Sequence, residues 1–441
     1  MFKTLIIFKI TDIVLNKTEP RLNMVKIYII LDGISDRPCK ILNGLTPLQA
    51  AKTKNLDYFS INSNHGYVYA INEHITPKSE EALIALLGYN PKEYYYSRGP
   101  IEAYGSNINF EDFDLALKAN FATVDKDGKR IVDRRVGRIL TTREAKELEE
   151  SINEIKLELP FKFKSTIGYS GVLIFKGELS ANISNVDPAY KKVGKFGIGV
   201  NSTNNIIQQS IALDPDKRTK LSARLINEFT NKSYEILINH KINLERRKKY
   251  LLEANIIITR DAGIDLPFLE KKIGWCAIVN TPLEIGIAKL IRMNIINSGY
   301  PEIKSKDVYH NLHKCIKIKI KEIIKNIKEA KYEKYFIHFK ELDIAGHDNK
   351  PEEKKKMIEL IDKKLFKFLR KLSKKKEIEL VITGGYSTPC ELKTHTNDHV
   401  PLMHYCKDKN DLIERFNEES CLEGFYGKIY GKDVLKKVGF E

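Results

Sequence analysis

The spacing of apolar residues divides the chain into strands covered on both faces and helices with one greasy side. Ile27-Tyr28-Ile29-Ile30-Leu31 is a nearly unbroken apolar run ending in Asp32-Gly33, the pattern of a strand buried on both faces. Helical signals follow, with Thr46 as N-cap, Pro47 at the first helical position, and then Leu48, Ala51, Leu56 and Phe59. Ser79, Glu80 and Glu81 open a second helix over Ala82–Leu87, closed by Gly88 with Pro91 beyond. Strand followed by helix, repeated, indicates an α/β architecture.

The middle of the chain changes character. From about Asn107 to Ala254 there are short strand-like runs, such as Gly171–Phe175, and an amphipathic helix near Leu221–Ile238. The α/β pattern then returns: Asn255–Thr259 is strand-like, His313–Lys331 is helical, and the strand Tyr335–Lys340 leads into Glu341–His347. A helix with Met357, Leu360, Ile361, Leu365, Leu369 and Leu372 on one face comes next. The strand Glu379–Thr383 then opens onto Gly384–Pro389. Because the first and last thirds share one pattern, a single α/β domain with an insertion fits better than three successive domains. The expected partition is an extension over 1–24, a first core part over 25–106, an inserted smaller α+β domain over 107–254, and a second core part over 255–441.

Composition narrows the class. With 441 residues, 42% hydrophobic and 30% charged, the chain excludes wholesale disorder, a fibre and a disulfide-stapled miniprotein. The net charge of +16 comes from lysines spread over nearly every segment. The basic clusters, such as Lys374-Lys375-Lys376, lack interleaved aromatics, so solvated helix faces are expected rather than a nucleic-acid partner. No run reaches the ~18 apolar residues of a membrane span, and six scattered cysteines without a C-x-x-C pair suit reduced thiols in the cytoplasm.

In an open α/β sheet, ligands bind at the carboxyl ends of the strands. Asp32, the Asp343/His347 pair, and Gly384–Thr388 with His395 beyond it all fall there. Asp343, His347 and His395 make an Asp/His/His set with the donors that hold zinc, manganese or iron. Each also has a plainer reading: Asp32 before Gly33 as a turn former, His347 as a helix cap, His395 as a surface loop residue. Ser79 is likewise either an ordinary helix cap or a serine that accepts a phosphoryl group at a helix N-terminus.

The motifs together resemble a known family. Asp32-Gly33-Ile34-Ser35-Asp36-Arg37-Pro38, Thr46–Asp57, Arg98-Gly99-Pro100-Ile101-Glu102-Ala103, Val132–Ile139, Asp343-Ile344-Ala345-Gly346-His347-Asp348 and Ser387-Thr388-Pro389-Cys390 are similar to archaeal-type 2,3-bisphosphoglycerate-independent phosphoglycerate mutases. That resemblance implies an alkaline-phosphatase-like three-layer α/β core with an inserted domain. It also implies a glycolytic isomerase that interconverts 3- and 2-phosphoglycerate through a phosphoserine, with two divalent metals. By motif position Ser79 is the nucleophile. Asp343, His347 and His395 hold one metal, Asp32 and Ser79 belong to the other, and Asp133, Arg134 and Arg138 contact substrate. The metal expected is Mn²⁺, with Zn²⁺, Co²⁺ or Mg²⁺ as alternatives.

The chain departs from the pattern on one side of that site. Where the family has Thr-Gly-Asp-His-Ser-Thr, this chain has Thr383-Gly384-Gly385-Tyr386-Ser387-Thr388, without two ligands of the serine-side metal. Around the nucleophile it reads Pro77-Lys78-Ser79-Glu80-Glu81-Ala82-Leu83, and Lys78 is expected to replace part of the lost positive charge. One ion is therefore expected rather than two. Two readings follow: a working phosphoglycerate mutase, or a catalytically impaired paralogue that keeps one metal site and acts in regulation or binding.

Overall fold

The computed structural model describes residues 24–94, 97–111, 113–193, 196–200, 204–407 and 409–440. Except for Met24, the extension expected over 1–24 lies outside the described residues. In chain order the strands are β1 (Met24–Leu31), β2 (Ser63–Tyr69), β3 (Leu115–Val124), β4 (Ile131–Asp133) and β5 (Phe161–Ser165). They continue as β6 (Ser170–Phe175), β7 (Tyr190–Val193), β8 (Phe196–Gly199), β9 (Ile256–Gly263) and β10 (Trp275–Val279). The last are β11 (Asn294–Asn297), β12 (Lys334–Phe339), β13 (Glu377–Thr383), β14 (Val400–Tyr405) and β15 (Lys428–Tyr430).

Eight of them form a large sheet in the order β11-β10-β12-β1-β13-β14-β2-β15. Its centre is parallel, with β1 between β12 and β13, and β14 runs antiparallel to both its neighbours. The unbroken apolar run of β1 follows from cover on both sides. Val25, Ile27, Ile29 and Leu31 pack under one helical layer, while Tyr28 and Ile30 pack under the other. The first layer includes the helices Val308–Glu329 and Pro351–Ile361, and the second includes Ser79–Leu86 and Pro282–Leu290. Among the described residues no helix is long and apolar enough to cross a membrane.

The middle region builds a second sheet, β4-β3-β6-β5, with β9 also paired to β3. This moves one boundary. Asn255–Thr259 was assigned to the second core part, but β9 runs antiparallel to β3 in the smaller sheet. A short apolar strand carries no sign of which sheet it joins, and here the partner is the long, equally apolar β3.

One helix also differs from its pattern. Thr46 caps and Pro47 opens a helix that stops at Ala50, and a second helix begins at Lys54. Asp362, from a distant helical segment, accepts from the backbone N–H groups of Asn55 (3.0 Å) and Leu56 (2.8 Å). A tertiary cap thus starts a new helix where the apolar spacing alone reads as continuous.

Candidate active site

Strand ends converge above the middle of the large sheet. Asp32 follows β1, Lys340 follows β12, and Gly384–Tyr386 follow β13. Gly33 takes a positive φ of 71°. A Cβ there would lie 2.6 Å from the Cα of Asp343, so only glycine lets the two loops meet. A cavity of about 1580 Å³ opens above these ends, and the smaller sheet's unit supplies its far wall, including Arg134, Arg138 and Tyr169.

Ser79 is the first residue of the helix Ser79–Leu86, whose N-cap is Lys78. The hydroxyl does not act as an ordinary cap. It lies 2.9 Å from the Tyr386 hydroxyl and accepts from Lys340 Nζ at 2.7 Å. Lys78, expected to supply positive charge beside it, instead pairs with Asp261 at 3.1 Å. The cation at the serine is Lys340, which sequence reasoning took only as the end of a strand. Its position three residues before Asp343, at a strand's carboxyl end, was the available signal.

Lys340 Nζ also lies 3.0 Å from Asp343 Oδ2 and 3.4 Å from Asp32 Oδ2, and it donates to the Tyr386 hydroxyl. Burial works against its charge, but the carboxylates of Asp343 and Asp32 outweigh it and raise its pKa. Asp32 has a second cationic neighbour that the sequence did not disclose. His338 Nε2 lies 3.0 Å from Asp32 Oδ2, and His338 Nδ1 lies 2.8 Å from Glu284 Oε1. Burial would lower the imidazole's pKa, yet the two carboxylates push it up to about 9. Against its own burial, Asp32 is held below the usual carboxylate range by His338 and then Lys340.

The Asp/His/His set assembles as expected. His347 Nε2 and His395 Nε2 lie 3.4 and 3.2 Å from Asp343 Oδ1, and one ligand atom from each residue falls within 4.8 Å of the others. The Nδ1 atoms point the other way, to the carbonyl oxygens of Lys393 (2.8 Å) and Pro77 (2.9 Å). Those contacts fix each ring with Nε2 toward the carboxylate, as outer partners orient metal-binding imidazoles. Burial lowers the His347 pKa to about 3, which keeps the ring neutral with a lone pair to give. This set fits a divalent ion.

The serine side does not fit a second ion in the family's manner. Gly385 brings no side chain, and a Cβ there would fall 2.0 Å from Asp32 Oδ1. Tyr386 is 1% exposed, and burial, then Asp32 and Asp343, raise its pKa well above the usual value. It therefore stays a neutral phenol, a poor ligand for a hard cation.

The substrate residues expected from the insertion all line the cavity, in two kinds of role. Arg134 and Arg138 are held by Asp187 (3.1 Å) and Asp348 (3.2 Å). The Asp133 carboxylate accepts from the backbone N–H groups of Arg135 (2.7 Å) and Gly137 (3.0 Å), so it shapes the loop that carries the arginines. Arg260 was not foreseen. It lines the cavity with its guanidinium 4.1 Å from the Tyr190 ring, and its buried Nε has no hydrogen-bond partner among the described residues.

Known proteins resemble this chain over nearly its whole length. A family model described as 2,3-bisphosphoglycerate-independent phosphoglycerate mutase matches residues 61–243. A protein of that name from Aeropyrum pernix is 37% identical, covering 92% of this chain and 96% of its own. One from Methanocaldococcus jannaschii is 36% identical, covering 93% and 95%. Among solved structures, a Pyrococcus horikoshii protein superposes with a TM-score of 0.70 at 26% identity, covering 95% of this chain and 98% of its own. A cofactor-independent phosphoglycerate mutase from Thermoplasma acidophilum superposes with a TM-score of 0.53 at 26% identity, covering 95% and 99%. These likenesses lend an inactive paralogue no support over a mutase. With its α/β core, inserted sheet and motif residues gathered at one set of strand ends, the chain belongs to the 2,3-bisphosphoglycerate-independent phosphoglycerate mutase family.

Proposed function

We propose that this chain is a cytoplasmic glycolytic isomerase that interconverts 3- and 2-phosphoglycerate through a phosphoserine at Ser79. The observation that carries the reading is the position of Ser79. It opens a helix at the edge of a cavity lined by Arg134, Arg138 and Arg260, with the Lys340 ammonium 2.7 Å from its hydroxyl. The Oγ–phosphorus bond forms as the bond from phosphorus to the 3-oxygen breaks, the Ser79 hydroxyl proton passes to that 3-oxygen, and the glycerate stays in the cavity. Attack by its 2-hydroxyl oxygen on the phosphoserine then breaks the Oγ–phosphorus bond, and the 2-hydroxyl proton returns to Ser79. Lys340 offsets negative charge at the transferring group, and the helix N-terminus adds backbone N–H groups on the same side. Arginines present the forked donors that match carboxylate and phosphate oxygens.

Asp343, His347 and His395 would hold one divalent ion, Mn²⁺ foremost and Zn²⁺, Co²⁺ or Mg²⁺ otherwise. Such an ion supplies Lewis-acid stabilisation of phosphoryl oxygens. An enolase-coupled assay on the purified chain with Mn²⁺ tests the reading, together with rapid acid quench to trap phosphoserine. Turnover and a phosphoserine that disappears in Ser79→Ala are expected. Turnover that survives in Ser79→Ala, or none in the parent protein, overturns it.

A further inference from the structure

The hydrogen bonds around Ser79 leave little freedom in who donates to whom. Asp32 is ionised and accepts only, while the Lys340 ammonium donates only. The Tyr386 hydroxyl lies 3.0 Å from Asp32 Oδ2 and must donate to it. Its oxygen is then an acceptor toward Ser79, 2.9 Å away, so the Ser79 hydroxyl proton points at Tyr386. Lys340 takes one Ser79 lone pair at 2.7 Å, and the other is left uncommitted in a residue that borders the cavity.

The phenol is fixed as firmly as the hydroxyl. Its ring stacks on His395 with centroids 3.9 Å apart, and the Lys340 ammonium lies 4.9 Å from the ring centre. Gly385 leaves Asp32 Oδ1 room that any side chain would take. The space beside Ser79 is thus already filled by a phenol and a covalently tethered cation.

We propose that Tyr386 is the positioning residue for Ser79: with Lys340 it takes the place of a second metal ion and aims the serine's free lone pair into the cavity. The inference rests on Ser79 being the nucleophile, and the chemistry it needs comes from side chains alone on the serine side.

The experiment uses the full chain and two variants: Tyr386→Phe, which keeps the ring and removes the hydroxyl, and Asp32→Asn. After dialysis against Mn²⁺, elemental analysis should give one ion per chain in the parent protein and still one in Tyr386→Phe and in Asp32→Asn. A second tightly held ion in the parent protein, lost in Asp32→Asn, would overturn the proposal and leave the mutase reading standing.

In the coupled assay Tyr386→Phe should lose about tenfold to a hundredfold in kcat with KM within about twofold, as expected when orientation of a reacting group is lost. An unchanged kcat, or a loss confined to KM, overturns the positioning role. Retention of the one ion certifies that the variant is folded. If the parent protein has no mutase activity, the functional reading falls, and the ion counts alone decide whether the serine side is metal-free.

Discussion

The two halves of the site solve one electrostatic problem in opposite ways. Around Asp343 the protein offers electron pairs: a carboxylate and two imidazoles whose far nitrogens are tied to backbone carbonyls. Around Asp32 it offers cations and protons, with His338, Lys340 and the Tyr386 hydroxyl all converging on one carboxylate oxygen. The first half is suited to a cation from solution, though Lys340 also reaches Asp343 Oδ2 at 3.0 Å. The second carries its cations on the chain. The lesson is that a catalytic surface with one overall charge requirement need not meet it with the same chemistry throughout.

The largest effect should come from taking a ligand out of the first half. His395→Ala should cost at least about a hundredfold in Mn²⁺ affinity, since losing even an outer partner of a ligand costs 10–100-fold. Titration calorimetry with Mn²⁺ measures it, and affinity within threefold of the parent would break the contrast between the halves. Next, Lys340→Met should leave the ion in place and lower kcat by about tenfold to a hundredfold through the lost charge at Ser79. Elemental analysis beside the coupled assay sharpens the comparison, because only the first half should respond in ion count.

The smallest effect concerns pH. His338 has a folded pKa of about 9 against an ordinary 6.5, so its imidazolium contributes stability in full below about pH 6.5. That contribution is lost as pH rises through about 9. Urea unfolding between pH 6 and 10 should show a decline that His338→Gln flattens, and an equal decline in the variant would place the titration elsewhere.

Much of this was legible in the chain. The run Ile27–Leu31 announced a central strand because burial on both faces leaves no polar alternation, and the Asp343/His347/His395 set could be assembled from strand-end positions alone. The missing Asp-His pair at Gly385 and Tyr386 marked the serine side as different. What filled that side was not legible. Lys340, His338 and Glu284 look like ordinary charged residues until β10, β12 and β1 are laid side by side in the order the sheet gives them, because adjacency across a sheet has no sequence period. The placement of β9 in the smaller sheet was hidden for the same reason: its partner is chosen 140 or so residues earlier in the chain, at β3.

The absent methyl at Gly33 has a further consequence. Backbone from β1 and backbone carrying Asp343 touch there with no side chain between them, so that single atom's width sets the gauge between the electron-rich and proton-rich sides. Widening it would lengthen the span over which the one Lys340 ammonium reaches both carboxylates, 3.0 Å from Asp343 and 3.4 Å from Asp32, so a substitution that never meets substrate would be felt at the serine.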